Sequence, residues 1–327
     1  MRATCSLIRR EFAAYFTGPI GYVALFGFLV LNGLLFWLVV GLLTEKGPRG
    51  IEYPMQVMLG GAENPQDVLV AGVLFWGLFP AVTGIITSRL IAEERGTGTL
   101  ESLLTAPIRD WQVVFAKFVA CFAFYLLLWS TTLVYIPVLA DLKADWQGNV
   151  TLFAAMLVVG ILFIGMAKLG FWFALNGRLV LLLGVSGVAL AAAGGYLHAT
   201  YDARHLVHLT WNIDARPILT SYLGMVLAGA MFLALGLLVS SWVKSQLVAW
   251  MLSLLLGLGF VLPAALRWQV DSGSDWDALV YYLSVPEHFR RDFTRGVIDT
   301  RPLVLYVTVT LCCLYLTVRS LEARRLR

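Results

Sequence analysis

The sequence predicts an all-α membrane protein of about eight spanning helices, and three observations predict it. The chain has 327 residues, 59% of them hydrophobic and 13% charged, with a mean hydropathy of +0.80. A water-soluble domain carries about 25% charged and about 45–50% apolar residues, so lipid is the expected solvent here. Crossing a hydrocarbon core takes about 20 residues of helix. Runs of that kind recur near 19–43, 68–88, 112–140, 151–175, 179–198, 218–241, 246–266 and 302–318. No barrel-like alternation is present, which leaves the helix as the structure that satisfies backbone polar groups in lipid.

Residues 1–18 precede the first run. Leu7, Ile8, Phe12, Tyr15 and Phe16 recur at helical spacing, with Arg9, Arg10 and Glu11 between them. This is the pattern of an amphipathic helix lying in the membrane interface; a frayed tail is the alternative. The first run, from about Pro19 to Leu43, exceeds the roughly 7–15 apolar residues of a signal peptide, and no A-x-A site follows it. It is expected to be a retained span.

Residues 19–144 hold the first three runs and, between the second and third, a segment at 88–110 dense in charge. Arg89, Glu93, Glu94, Arg95 and Glu101 cluster there. Thr99, Leu100, Leu103 and Leu104 suggest a short helix ended by Pro107, because proline disfavours helical geometry in the residue before it. Two readings stand for this segment: a dock for a soluble partner, or a solvated loop.

Residues 145–215 contain two further runs joined by Asn176-Gly177-Arg178, and the small residues Ala191 to Gly195 would permit close helix packing. His205 and His208 have metal-ligand spacing near Asp202 and Asp214, but no second pair accompanies them, and no metal site is expected. Residues 216–327 supply the last three runs, an external loop at 267–301 and a short tail. Ser284 to Phe293 has helical potential within that loop, and Gly296 and Pro302 mark the return to the membrane.

Eight runs put both termini on one side. Thirteen lysines and arginines fall on that side and ten opposite, where they are interleaved with many acids across longer loops that weigh less. Both termini are therefore expected in the cytoplasm. Cys5, Cys121, Cys312 and Cys313 form no CxxC and read as small apolar residues. The formal charge of +4 is spread along the chain and forms no stripe for nucleic acid.

Catalytic motifs are missing. The sequence has no G-x-x-x-x-G-K-[ST] phosphate loop, no H-E-x-x-H helix and no G-x-S-x-G elbow. Ionisable residues that would relay protons within the spans are also missing, with Lys168 as the exception. That lysine either snorkels to the interface or faces a cavity or partner. A transporter with neither an energy source nor an ion relay points to an external motor.

Four blocks, in order, resemble the ABC type-2 permease family, and within it the gliding-motility-associated permeases. The first is Arg10-Glu11, Phe16 and Pro19-Ile20-Gly21-Tyr22. The second is Glu93-Glu94-Arg95, Gly98-Thr99-Leu100-Glu101, Leu104, Pro107 and Lys117. The third is Ser221-Tyr222-Leu223-Gly224 with Gly236, Ser240-Ser241 and Gln246. The fourth is His288-Phe289, Phe293, Arg295 to Asp299 and Leu316 to Glu322.

The resemblance implies the non-enzymatic transmembrane half of an ABC exporter in a bacterial plasma (inner) membrane. A second permease copy or paralogue and two ABC ATPase subunits would complete it. This chain would hold no cofactor; ATP and Mg would sit in the ATPase. The resemblance assigns the ATPase contact to Arg9, Arg10, Glu11, Glu93, Glu94, Arg95, Gly98, Thr99, Glu101, Leu104 and Pro107. His288, Phe289, Phe293, Gly296 and Asp299 would belong to an external cap. Such permeases have six spans, so 145–215 reads as an inserted hairpin that either docks an accessory membrane or extracytoplasmic subunit or faces lipid. A scaffold that transmits ATPase strokes to an extracytoplasmic machine, without transporting, is the alternative function.

Overall fold

The described apolar runs form helices, several of whose ends are set by proline and serine. In the computed structural model the described residues are 2–17, 19–46, 59, 74–99, 109–135, 215–266 and 274–325, with single positions between 181 and 192. Among them there is no strand. The helices are α1 (Arg2–Thr17), α2 (Pro19–Lys46), α3 (Leu74–Ser88), α4 (Ala92–Gly96) and α5 (Asp110–Ser130), the last continued by a 3-10 turn at Thr131–Val134. After these come α6 (Ala215–Trp242), α7 (Gln246–Leu258), α8 (Pro263–Leu266), α9 (Asp275–Leu283), α10 (Val285–Arg291) and α11 (Thr300–Arg325).

Local chemistry explains several boundaries. Pro19 opens α2 and Pro286 stands in the first turn of α10, where a missing N–H costs nothing. Ser274 caps α9 by accepting from the Asp277 N–H at 3.2 Å, with Asp275 and Asp277 in the positive first turn. Pro80 lies inside α3, where it removes one helical hydrogen bond.

Four helical stretches are long and apolar enough to cross a membrane: Asp110–Leu133, Arg216–Trp242, Gln246–Leu266 and Thr300–Ala323. Ala24–Trp37 and Phe75–Ser88 are shorter apolar helices. The runs at 151–175 and 179–198 lie outside the described residues, save single positions in the second. Helix α4 lies in the charged segment ahead of the Thr99–Leu104 stretch in which the sequence suggests a short helix; of that stretch Thr99 alone is described, and it is helical. Leu100 to Ile108 fall outside the described residues.

The chain divides into two units. Unit 1 comprises Met1–Glu11, Met55–Tyr125 and Arg216–Arg327; unit 2 comprises Phe12–Pro54 and Leu126–Ala215. In unit 2, Phe28 meets Trp129 edge-on at 5.4 Å, and Phe36 stacks on Tyr135 at 4.1 Å.

In unit 1, lipid-solvated helices gain little from the hydrophobic effect on meeting one another, so shape and polar contacts decide the packing. Gly236 on α6 lets Thr87 of α3 come so close that a Cβ would overlap its side chain. Tyr125 OH donates to the Met225 carbonyl at 2.8 Å, and Trp250 Nε1 donates to the Ala81 carbonyl at 3.2 Å. Phe79 meets Tyr125 and Phe232 edge-on. By contrast, α7 and α11 keep their apolar faces outward: Leu255 is 67% exposed and Leu311 62%. Such faces are tolerable in hydrocarbon and not in water.

Candidate functional site

A lysine inside an apolar helix organises one end of unit 1. Lys117 lies two turns into α5, about 10 Å from its start, and is 1% exposed. An ammonium there needs anionic partners, because burying it alone is prohibitive. Two glutamates from different segments supply them. Its Nζ donates to Glu11 Oε2 of α1 at 3.1 Å and to Glu94 Oε1 of α4 at 2.7 Å. Glu11 also accepts from Arg10 Nη2 at 2.9 Å. Leu7, on the same face of α1 as Glu11, packs on Val113 and Ala116 of α5, so apolar contact and ion pair hold the same two helices.

The two carboxylates differ. Burial pushes the Glu11 carboxyl up, yet the Lys117 ammonium and the Arg10 guanidinium overcome it and hold Glu11 below its usual range. Burial pushes Glu94 up as well; there the nearby Glu11 charge adds to it, and the carboxyl ends above its usual range despite Lys117. Glu94 Oε2 is buried and has no hydrogen-bond partner. An unsatisfied buried acceptor costs about 1–3 kcal/mol, so this end of the network holds less firmly than the Glu11 end.

Arg95, the next residue, turns the other way. Its Nη1 donates to the carbonyls of Ser241 at 3.0 Å and Val243 at 3.1 Å, at the carbonyl-rich end of α6. Ser240 Oγ accepts from the N–H groups of Ile91 at 3.1 Å and Ala92 at 3.0 Å, satisfying the start of α4, and donates to the Ser88 carbonyl at 3.2 Å. Ser241 Oγ meets Ser320 Oγ of α11 at 3.3 Å. One end of unit 1 thus gathers the first turns of the chain, α4, the turn between α6 and α7, and the last turns of α11.

The residues expected to contact an ATPase therefore fall into two sets. Glu11, Glu94 and Arg95 point into the protein and tie helices together. Arg9, Arg10, Glu93, Gly98 and Thr99 are exposed. Thr97 Oγ1 donates to the Glu93 carbonyl at 3.0 Å and lies 3.0 Å from Thr99 Oγ1, which fixes the turn where Gly98 takes a φ of 74°. Glu101, Leu104, Pro107 and Lys168 lie outside the described residues.

The residues expected in an external cap come together in unit 1. Phe289 and Phe293 are fully buried and pack over Gly224, where a Cβ would sit 2.8 Å from the Phe289 ring. The Phe293 carbonyl accepts from Thr220 Oγ1 at 2.5 Å. His288 Nδ1 lies 2.8 Å from Tyr306 OH of α11, and burial drives its pKa down to about 4, so the ring is neutral near pH 7. Asp299 accepts from Tyr281 OH at 3.3 Å and from the Arg301 N–H at 2.9 Å. Gly296, at φ 81°, sits where the left-handed turn excludes ordinary side chains and closes against Arg216 and Pro217. Glu287, 1% exposed, takes Arg290 and Arg291, and Arg291 reaches on to Asp277.

Reasoning from the sequence alone missed the role of Lys117, which entered only as one matching residue of a block. Its signal was a single lysine several residues into an otherwise uncharged run. Ser240 and Ser241 likewise entered only as matching residues, and Tyr306 not at all.

With this geometry in place, comparison with known proteins gives one match. The sequence profile described as ABC-2 family transporter protein covers residues 19–182, half of the chain. No curated protein and no solved structure matches it. The match extends from the first apolar run into the segment at 145–215, and it agrees with a chain built from membrane-crossing helices. This multi-pass membrane protein belongs to the ABC-2 family of transporter proteins.

Proposed function

We propose that the chain is the permease subunit of an ABC exporter whose ATP hydrolysis takes place in separate ATPase subunits. The observation that carries this reading is the joining of α1, α4 and α5 through Lys117. A soluble motor that pushes on α1 or α4 would act on a spanning helix directly. The exposed Arg9, Arg10, Glu93, Gly98 and Thr99 offer the outward surface for it, and Glu101, Leu104 and Pro107 continue the same segment.

In this reading both termini are cytoplasmic, in a bacterial inner membrane, and two permease chains pair with two ATPases that hold ATP and Mg. The subfamily is that of the gliding-motility permeases, on the four blocks quoted above. The buried residues from His288 to Asp299 close the external end. Residues 145–215 serve an accessory membrane subunit; a complex structure with that segment between the two permease copies and no added subunit would refute this part.

The test is association. The full-length chain, purified in mild detergent from its native membrane, is expected to bring down an ABC ATPase with MgATP hydrolysis. Exposed charges contribute about 0.2–1 kcal/mol per pair. Reversing both Arg9→Glu and Glu93→Lys is therefore expected to weaken association about five- to tenfold while leaving thermal unfolding of the permease unchanged. Wild-type association in that variant would refute the contact surface.

A further inference from the structure

The triad at Lys117 is asymmetric, and the asymmetry has a direction. Glu11 is anchored twice, by Lys117 and Arg10, on a helix of sixteen residues that also packs Leu7 against α5. Glu94 has one bond, from Lys117, and leaves Oε2 buried without a partner. It stands on a helix of five residues that is held at its start by Ser240 and beside Glu94 by Arg95. Lys117 has no other described anion and is sealed from solvent. If the Glu94 bond opens, Lys117 keeps Glu11 and remains neutralised, so opening leaves no unpaired buried cation.

We infer that Lys117 makes one permanent bond, to Glu11, and one releasable bond, to Glu94, and that opening of the second is the latch through which the ATPase stroke shifts α4 against α5. The inference rests on the ATPase-docking reading above and deepens it. Glu94 is a positioning residue in this scheme, since it touches neither nucleotide nor cargo. The charged groups that face it are Lys117 from α5 and Glu11 and Arg10 from α1; α7, which also packs on α4, contributes none along Gln246–Leu258. Of the two glutamates, Glu94 takes up a proton first as pH falls, because its carboxyl is raised and that of Glu11 is lowered.

The test uses the full-length chain with its copurified ABC ATPase in nanodiscs and reads MgATP hydrolysis between about pH 5 and 8. A charge-assisted hydrogen bond corresponds to about a tenfold effect. Glu94→Gln is expected to raise kcat about tenfold, as a motor freed of its load, with KM and ATPase association unchanged and with a flatter pH profile. In the wild type, kcat relative to that of the isolated ATPase is expected to climb toward the Glu94→Gln level as pH falls. A Glu94→Gln complex with wild-type kcat and an unchanged pH profile would overturn the latch. If that variant does not assemble, the wild-type profile decides: a ratio to the isolated ATPase that is constant with pH also overturns it. An ATPase that fails to associate with the wild-type chain defeats the docking reading and the latch together. One that associates but ignores Glu94 defeats the latch alone.

Discussion

Removing the positive member of a buried network leaves its negative members facing each other. Lys117→Met leaves Glu94 without its ion-pair partner and Glu11 with Arg10 alone, and breaking a largely buried ion pair in this way costs about 3–5 kcal/mol. The expected result is a drop in thermal unfolding temperature in detergent, largely restored in the triple variant Lys117→Met, Glu11→Gln, Glu94→Gln. An unrestored triple variant would mean that Lys117 acts by packing alone. At the other end of unit 1, His288 carries a pH prediction. Its folded pKa of about 4 lies below the ordinary 6.5, so the unfolded chain binds the proton first. The stability tied to neutral His288 is fully present above about 6.5 and is lost as pH falls toward 4. Asp292, whose carboxyl burial raises, contributes the opposite slope. His288→Gln should therefore flatten the acid side of the unfolding temperature against pH. The glutamates and His288 were legible in the sequence as candidates because charge is scarce in this chain. Which of them face inward was not, since a carboxylate on an apolar face is explained only by a cation arriving from a distant segment.

Helix α4 is too short to be stable by itself, because a five-residue helix closes few of its own hydrogen bonds. Ser240 completes it by accepting from Ile91 and Ala92, and Arg95 ties it to the end of α6. Ser240→Ala leaves two buried N–H groups unpaired, at about 1–3 kcal/mol each. Faster hydrogen exchange is expected across residues 88–96, with little change in α11; uniform exchange would contradict the role given to Ser240. At most of their ends the four described spanning stretches were read to within a few residues, because length and hydropathy suffice for helices in lipid. Helix α4 was not legible in the sequence, because its position depends on Ser240, about 150 residues away in the chain.

At the level of the whole molecule, the composition already excluded a soluble fold, and the described helices agree: four are long and apolar enough to span, and two more are apolar but shorter. Aromatic rings fill unit 1, from Trp76 against Phe289 to Phe232 against Phe260, while α7 and α11 turn leucines outward. The sequence carried this division only as uniform hydrophobicity, because lipid-facing and buried leucines look alike in composition. Family membership follows from residues 19–182, and the permease role follows from the family. What makes the chain a transmitter of force, in the reading proposed here, is the charged end of unit 1. The most direct measurement of that claim is photo-crosslinking from a benzophenone side chain placed at residue 93, in native membranes. The account predicts an adduct with an ABC ATPase from position 93 and none from position 297 beside the buried cap. Adducts from 297 but not from 93 would contradict it.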